Sequence, residues 1–207
     1  MTRDEALALV RSLIRNENLI KHHLAVEAVM RALARHFGED EVASAHLRTE
    51  QESPLSTDPV SACEETWGLA GLLHDADYEI TKKDPHRHGL VIAEKLEELG
   101  VDPAIVRAVK AHNDALGVPR ETRMEKALYA CDELTGLIVA ATLVHPERKL
   151  AALDVPFVMH RFKDKSFARG ARREQILTCS ELGFELEEFI GLSLAAMQSI
   201  AGELGLG

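Results

Sequence analysis

A chain of 207 residues is most simply one domain and is long enough to bury a substantial core. Apolar residues make up 46% of it and aromatic ones only 4%, with Ala and Leu dominant, which favours an all-α helical bundle over a sheet protein. A net charge of −10, from 24 basic and 34 acidic residues, argues against general nucleic-acid binding, and no apolar run reads as an uninterrupted membrane span.

Caps and breakers place the elements in chain order. Thr2-Arg-Asp-Glu is a capping-box pattern and predicts a helix through about residue 14. A second helix is expected over 18–37, ending near Phe37-Gly38. Residues 39–62 are rich in acidic, Ser, Thr and Pro residues, including Ser53-Pro54 and Asp58-Pro59, and read as an exposed insertion loop. Helices are then expected over 64–74, 87–99, 103–112 and 122–142, with Gly100 and Gly117 as stops. A helical extension from about 154 holds helices near 156–162 and 172–182 and a last amphipathic one over 185–204. Cys63, Cys131 and Cys179 are scattered and lack CxxC spacing, so no disulfide framework is expected. Met1-Thr-Arg-Asp-Glu does not read as a signal peptide, and the expected setting is the cytoplasm.

Chemistry gathers on the inward faces of these helices. His74-Asp75 closes the apolar run Gly68-Leu-Ala-Gly-Leu-Leu. A buried ionised carboxylate costs several kcal/mol, on the order of magnitude known for buried ions, unless it is paired or binds a metal. Neighbours on a helix diverge by about 100°, so both side chains converge only where the helix ends. His22 lies in the stripe of Leu19, Val26, Val29 and Leu33, and His88 stands one turn before Val91, Ile92, Leu96 and Leu99. His112 follows Ile105 and Val109, and Asp132 lies between Leu128 and Val139, close to Thr135. One histidine on an apolar face is ordinarily a satisfied core residue. Three of them with a mid-helix Asp, alongside His74-Asp75, point to a shared metal site.

The order His22 … His74-Asp75 … His88 … His112 … Asp132 resembles the HD superfamily of metal-dependent phosphohydrolases. The surrounding residues agree: Lys21-His22 with Val26, Leu72-Leu73-His74-Asp75, Ala111-His112-Asn113 and Tyr129-Ala-Cys-Asp132-Glu. Asp132-Glu-Leu-Thr-Gly-Leu-Ile and Phe167-Ala-Arg-Gly-Ala-Arg-Arg-Glu are similar to a prokaryotic subgroup of HD proteins. The likeness covers most of the chain except about 40–62. The Gly-Tyr-Pro signature of the branch that degrades cyclic-di-GMP is absent, so that substrate is not implied.

The resemblance implies a single-domain, HD-type helical bundle. The simplest HD site uses His22, His74, Asp75 and Asp132 around one metal. His88 and His112 supply ligands for a second, with Asp75 bridging. Two divalent ions are expected, with Fe or Mn favoured by mixed His and carboxylate ligands and Zn, Ni or Mg possible. Such a pair activates a water for attack on phosphorus. Asp75 is thus both ligand and catalytic residue. Asp77 and Glu79 are either leaving-group acids or surface residues.

A phosphate also needs cations. Residues 161–173 hold Arg161, Lys163, Lys165, Arg169, Arg172 and Arg173 against Asp164 alone. This is either a solvated basic segment or a clamp, with Lys163, Lys165 and Arg172 or Arg173 facing the cleft. The reading is a metal-dependent phosphohydrolase acting on a phosphate ester or anhydride of a nucleotide or other small metabolite. Two alternatives accompany it: a di-iron oxygenase cleaving a C–C or C–P bond, and a metal-stabilised sensor module without turnover. Oligomeric state stays open.

Overall fold

The computed structural model describes residues 1–46, 59–81 and 84–207, and among these residues there are helices and turns but no strand. The elements run α1 (Arg3–Leu13), α2 (Glu17–His46), α3 (Pro59–Leu73), α4 (Tyr78–Thr81), α5 (Leu90–Glu98), α6 (Pro103–Ala111) and α7 (Arg123–Val144). They continue with α8 (Val155–Lys163), α9 (Arg173–Ile176), α10 (Leu186–Ser199) and α11 (Ala201–Leu204). The all-α architecture expected from composition is what the chain adopts.

Local chemistry sets the boundaries. Thr2 and Thr122 each accept from the backbone N–H three residues on, while Glu5 and Glu125 reach back to the cap, so α1 and α7 both open on capping boxes. Asp102 caps α6 and Asp154 caps α8, each followed by a proline in the first turn, where a missing N–H costs nothing. Gly100 and Gly117, the expected stops, end α5 and the turn after α6 in left-handed backbone.

Three expectations need correction. First, α2 runs past Gly38 to His46 and α3 begins at Pro59, so 39–46 and 59–62 are helical and not part of an insertion loop. A glycine costs a helix only about 1 kcal/mol relative to Ala, and the helix formers that follow outweigh it. The remainder of that expected loop, 47–58, lies outside the described residues. Second, the expected last helix breaks at Ile200 into α10 and α11, and the 172–182 helix is α9 followed by a 3-10 turn over Leu177–Leu182. Third, α7 is long and apolar enough to cross a membrane by length and composition alone. Here 61% of its most apolar stretch is buried, because α7 is the central helix, packed against α2, α3, α6, α8, α9 and α10.

The most extensive pairing is α2 with α3. A Cβ on Gly71 would lie 3.0 Å from the backbone of Val26 and Glu27 and from Met30, so only glycine allows this approach. Leu72, Leu73, Val26, Val29, Leu33, Leu128 and Leu134 fill the space among α2, α3 and α7. That packing brings His22, His74 and Asp132 to one end of the core.

Candidate metal centre

The His74-Asp75 pair and the four residues singled out by periodicity converge from five places in the chain. His22, His74 and Asp132 form one group whose ligand atoms lie within 4.8 Å of one another, and Asp75, His88 and His112 form another. Within the first, Asp132 Oδ1 is 3.1 Å from His22 Nε2 and 3.5 Å from His74 Nε2. Within the second, Asp75 Oδ1 is 3.0 Å from His88 Nε2 and 3.2 Å from His112 Nε2. Asp75 also touches the first group: Oδ1 is 3.6 Å from His74 Nε2, and Oδ2 is 3.9 Å from His22 Nε2. One carboxylate therefore stands between both groups.

Each imidazole is turned by a partner on its other nitrogen. His74 Nδ1 donates to the Gly71 carbonyl (2.8 Å) and His112 Nδ1 to that of Val109. His88 Nδ1 donates to Asp77 Oδ1 at 2.9 Å. The Thr135 hydroxyl spends its proton on the Asp132 carbonyl, so at 3.2 Å its oxygen accepts from His22 Nδ1. All four rings thus present Nε2 to the centre, as a lone pair whenever the ring is neutral.

That arrangement is costly without a guest. His74 Nε2 is fully buried and makes no hydrogen bond among the described residues, and the Nε2 atoms of His88 and His112 face each other at 3.1 Å. Unfilled lone pairs this close repel unless a proton or a cation lies between them. In the metal-free chain protons serve: burial pulls His74 down, but Asp75 and Asp132 overcome it and hold the ring up at about 9. Burial likewise opposes protonation of His88, and its bonds to Asp75 and Asp77 carry it to about 10. Burial raises Asp75 and Asp132 as well, yet the surrounding imidazoles win and hold both below the usual carboxylate range. Four imidazole nitrogens and two carboxylates, mutually oriented, fit divalent cations.

The turn that carries His88 is built on Asp77. Its carboxylate accepts from the backbone N–H of Gly89 and Ile92 as well as from His88, closing the N-terminus of α5. Gly89 has φ +79°, and a Cβ there would lie 3.0 Å from the Val109 carbonyl and 3.3 Å from the His112 ring. The glycine lets this turn press against the third histidine.

The expected leaving-group acids are corrected by this geometry. Asp77 is 1% exposed and kept ionised, since its bonds to His88, Ile92 and Gly89 outweigh burial; it has no proton to give. Glu79 points elsewhere and accepts from the backbone N–H of Arg15 and Asn16 in the turn between α1 and α2.

The basic segment divides. Arg172 lines the cleft of about 410 Å³ that opens over His22, Asp75, His88, His112 and Asp132. Its Nε bonds Glu133 at 2.9 Å, and Nη1 is 3.6 Å from Asp114. Arg173 is corrected to a structural role: its guanidinium donates to the carbonyls of Phe167, Ala168 and Ala171, at 2.6 to 2.7 Å, and so folds the loop after α8. Lys163 and Lys165 are exposed and are not among the cleft-lining residues. Periodicity on one helix does not show which of two adjacent arginines turns inward; the loop's own carbonyls decide.

Sequence reasoning passed over Glu133, Tyr78 and Gly136, which also line the cleft. Glu133 stands beside Asp132, and burial raises its carboxyl despite Arg172. The signal for it was its place in the Asp132-Glu motif. Nothing in the spacing of Tyr78, which packs edge-on to His88 with centroids 5.6 Å apart, could have flagged it. His23, next to the ligand-like His22, is buried in the core with Nδ1 donating to the Leu72 carbonyl.

Comparison with curated proteins and with solved structures gives no significant match. The sequence model of the HD domain matches residues 19–140, more than half of the chain and a span that contains all six clustered residues. The chain therefore belongs to the HD domain family, a superfamily of metal-dependent hydrolases.

Proposed function

We propose that the protein is a phosphohydrolase that cleaves a phosphate ester or anhydride of a small metabolite at a pair of divalent cations. The observation that carries this is the common orientation of four imidazoles, each with Nδ1 satisfied and Nε2 turned to one centre, around two carboxylates. His22, His74 and Asp132 would hold one cation and His88 and His112 the other, with Asp75 placed within reach of both groups. Such cations supply Lewis acidity toward a phosphoryl group and lower the pKa of the attacking water. Fe or Mn suits this donor set best.

The chain's own groups do the rest. Arg172, held on the cleft wall by Glu133, offers N–H donors to non-reacting phosphate oxygens. Thr135, Asp77 and the carbonyls of Gly71 and Val109 keep each ring in the tautomer that binds metal. Cys131 and Cys179 are buried free thiols, which suits the proposed cytoplasmic setting.

The test is metal content by mass spectrometry on protein purified without chelators, followed by phosphate release from a panel of phosphorylated metabolites. About two metals per chain and metal-dependent phosphate release are expected. Oxygen consumption without phosphate release would move the protein to the di-iron oxygenases, which share this donor set. Absence of metal uptake would leave a helical binding module.

A further inference from the structure

A second cavity, of about 440 Å³, adjoins the metal cleft between α2, α7 and the α11 end of the chain. Two residues line both spaces: His22, from the metal cluster, and Gly136, in the interior of α7. The walls beyond them are mainly aliphatic, formed by Ala25, Val139, Leu143, Leu204 and Leu206, with Asn18, Lys21 and Thr135 as the polar edge.

Gly136 is the telling residue. Gly136 is exposed, and a glycine inside a helix weakens it relative to alanine, here with no neighbour that needs the room. No heavy atom comes within 4 Å of where its Cβ would stand. The room it leaves is open space, at the position where the two cavities meet. Leu143, one of the aliphatic walls, is 53% exposed. An aliphatic surface facing an open cavity next to a reaction centre gains from a ligand that covers it.

We infer that the metal cleft and this cavity form one two-part substrate site joined over Gly136. The phosphate lies at the cluster, and the organic part, apolar and either aliphatic or aromatic, lies against Val139, Leu143, Leu204 and Leu206. The substrate class is a phosphate monoester of an apolar alcohol rather than a nucleotide, whose sugar hydroxyls and base edges would meet few polar partners there. This inference rests on the phosphohydrolase reading for the reaction but not for the shape of the ligand.

Calorimetric titration of the metal-loaded protein under argon with inorganic phosphate and with methyl-, butyl- and octylphosphonate tests it, with p-nitrophenyl phosphate hydrolysis run in parallel. Affinity is expected to rise by about fourfold per buried methylene until the cavity is filled, with adenosine monophosphate gaining nothing comparable. Gly136→Leu, which closes the junction, is expected to flatten that dependence, and Leu143→Ser to weaken it, with metal content and thermal melting showing that each variant is intact. Affinity that ignores chain length in the wild type, or a dependence that Gly136→Leu leaves in place, would overturn the two-part site even if phosphate esters are hydrolysed. Length-independent binding together with a dimer that Leu143→Ser disperses would assign the cavity instead to a second copy of the chain. A clear length dependence without any hydrolysis would support the two-part site and sink the hydrolase reading alone.

Discussion

His22 and Asp132 stand inside long helices packed against each other, whereas Asp75, His88 and His112 all stand at helix ends. The first group, completed by His74 at the end of α3, owes its geometry to the apolar contacts among α2, α3 and α7. The second owes its geometry to hydrogen bonds: Asp77 holds His88 and the start of α5, and the Val109 carbonyl holds His112 where α6 stops. Apolar packing is spread over many contacts, while a turn held by one carboxylate depends on that carboxylate. The two groups should therefore fail differently.

The largest effect is expected where they share a residue. Asp75→Asn should empty both groups of metal and lower turnover on the order of 10²–10³-fold or more, with the helical fold intact by circular dichroism. His88→Ala should lose only the second metal. If Asp75→Asn keeps two metals per chain, the bridging role is wrong.

A finer contrast comes from the groups behind the ligands. Asp77→Asn should weaken metal affinity of the second group by about 10–100-fold, and Thr135→Val should do the same to the first. Metal competition titrations that show two separately affected sites would sharpen the comparison. Equal loss at both sites from either variant would break it.

Smaller effects separate the two arginines. Arg172→Met should raise KM for a phosphorylated substrate about tenfold or more with little change in kcat, because a charge-assisted bond to phosphate is lost. Arg173→Met should instead lower the melting temperature, since it frees the carbonyls of Phe167, Ala168 and Ala171. Steady-state kinetics beside thermal melts decides the pair.

The gentlest probe is pH. In the metal-free chain His74 and His88 are raised from 6.5 to about 9 and about 10. The folded state binds their protons more tightly, so this stabilisation is complete below about pH 6.5 and is lost as pH rises toward 9–10. His23 has the opposite sign: burial lowers it to about 3, so its contribution is present above about pH 6.5 and declines as pH falls toward 3. Urea midpoints in chelator should thus fall on the alkaline side. With metal in place of the protons that loss should vanish, because the cation needs neutral rings.

How much of this could be read beforehand differs from residue to residue. His22 and Asp132 are legible because a polar residue inside an apolar helical stripe has to face inward, and inward positions on packed helices meet; His88 and His112 are legible because they flank the apolar stripes of α5 and α6. The role of Asp77, read as either a leaving-group acid or a surface residue, was not legible because a carboxylate near a reaction centre looks the same in sequence whether it gives a proton or holds a ring. The choice of Arg172 over Arg173, and the structural use of the latter, depends on which carbonyls a loop leaves unpaired. The second cavity had no signature at all, since Gly136 and Leu204 are far apart in the chain and unremarkable alone.

The sequence by itself determined the helical class, the family order of six residues and most helix ends, because periodicity, caps and glycine stops act over a few residues. Tertiary structure alone decided which atoms of those residues face one another, where Asp77 and the two arginines turn, and that an apolar space opens beside the cluster. Those facts depend on contacts between segments tens of residues apart, and on the backbone approach of α2 to α3 that Gly71 permits.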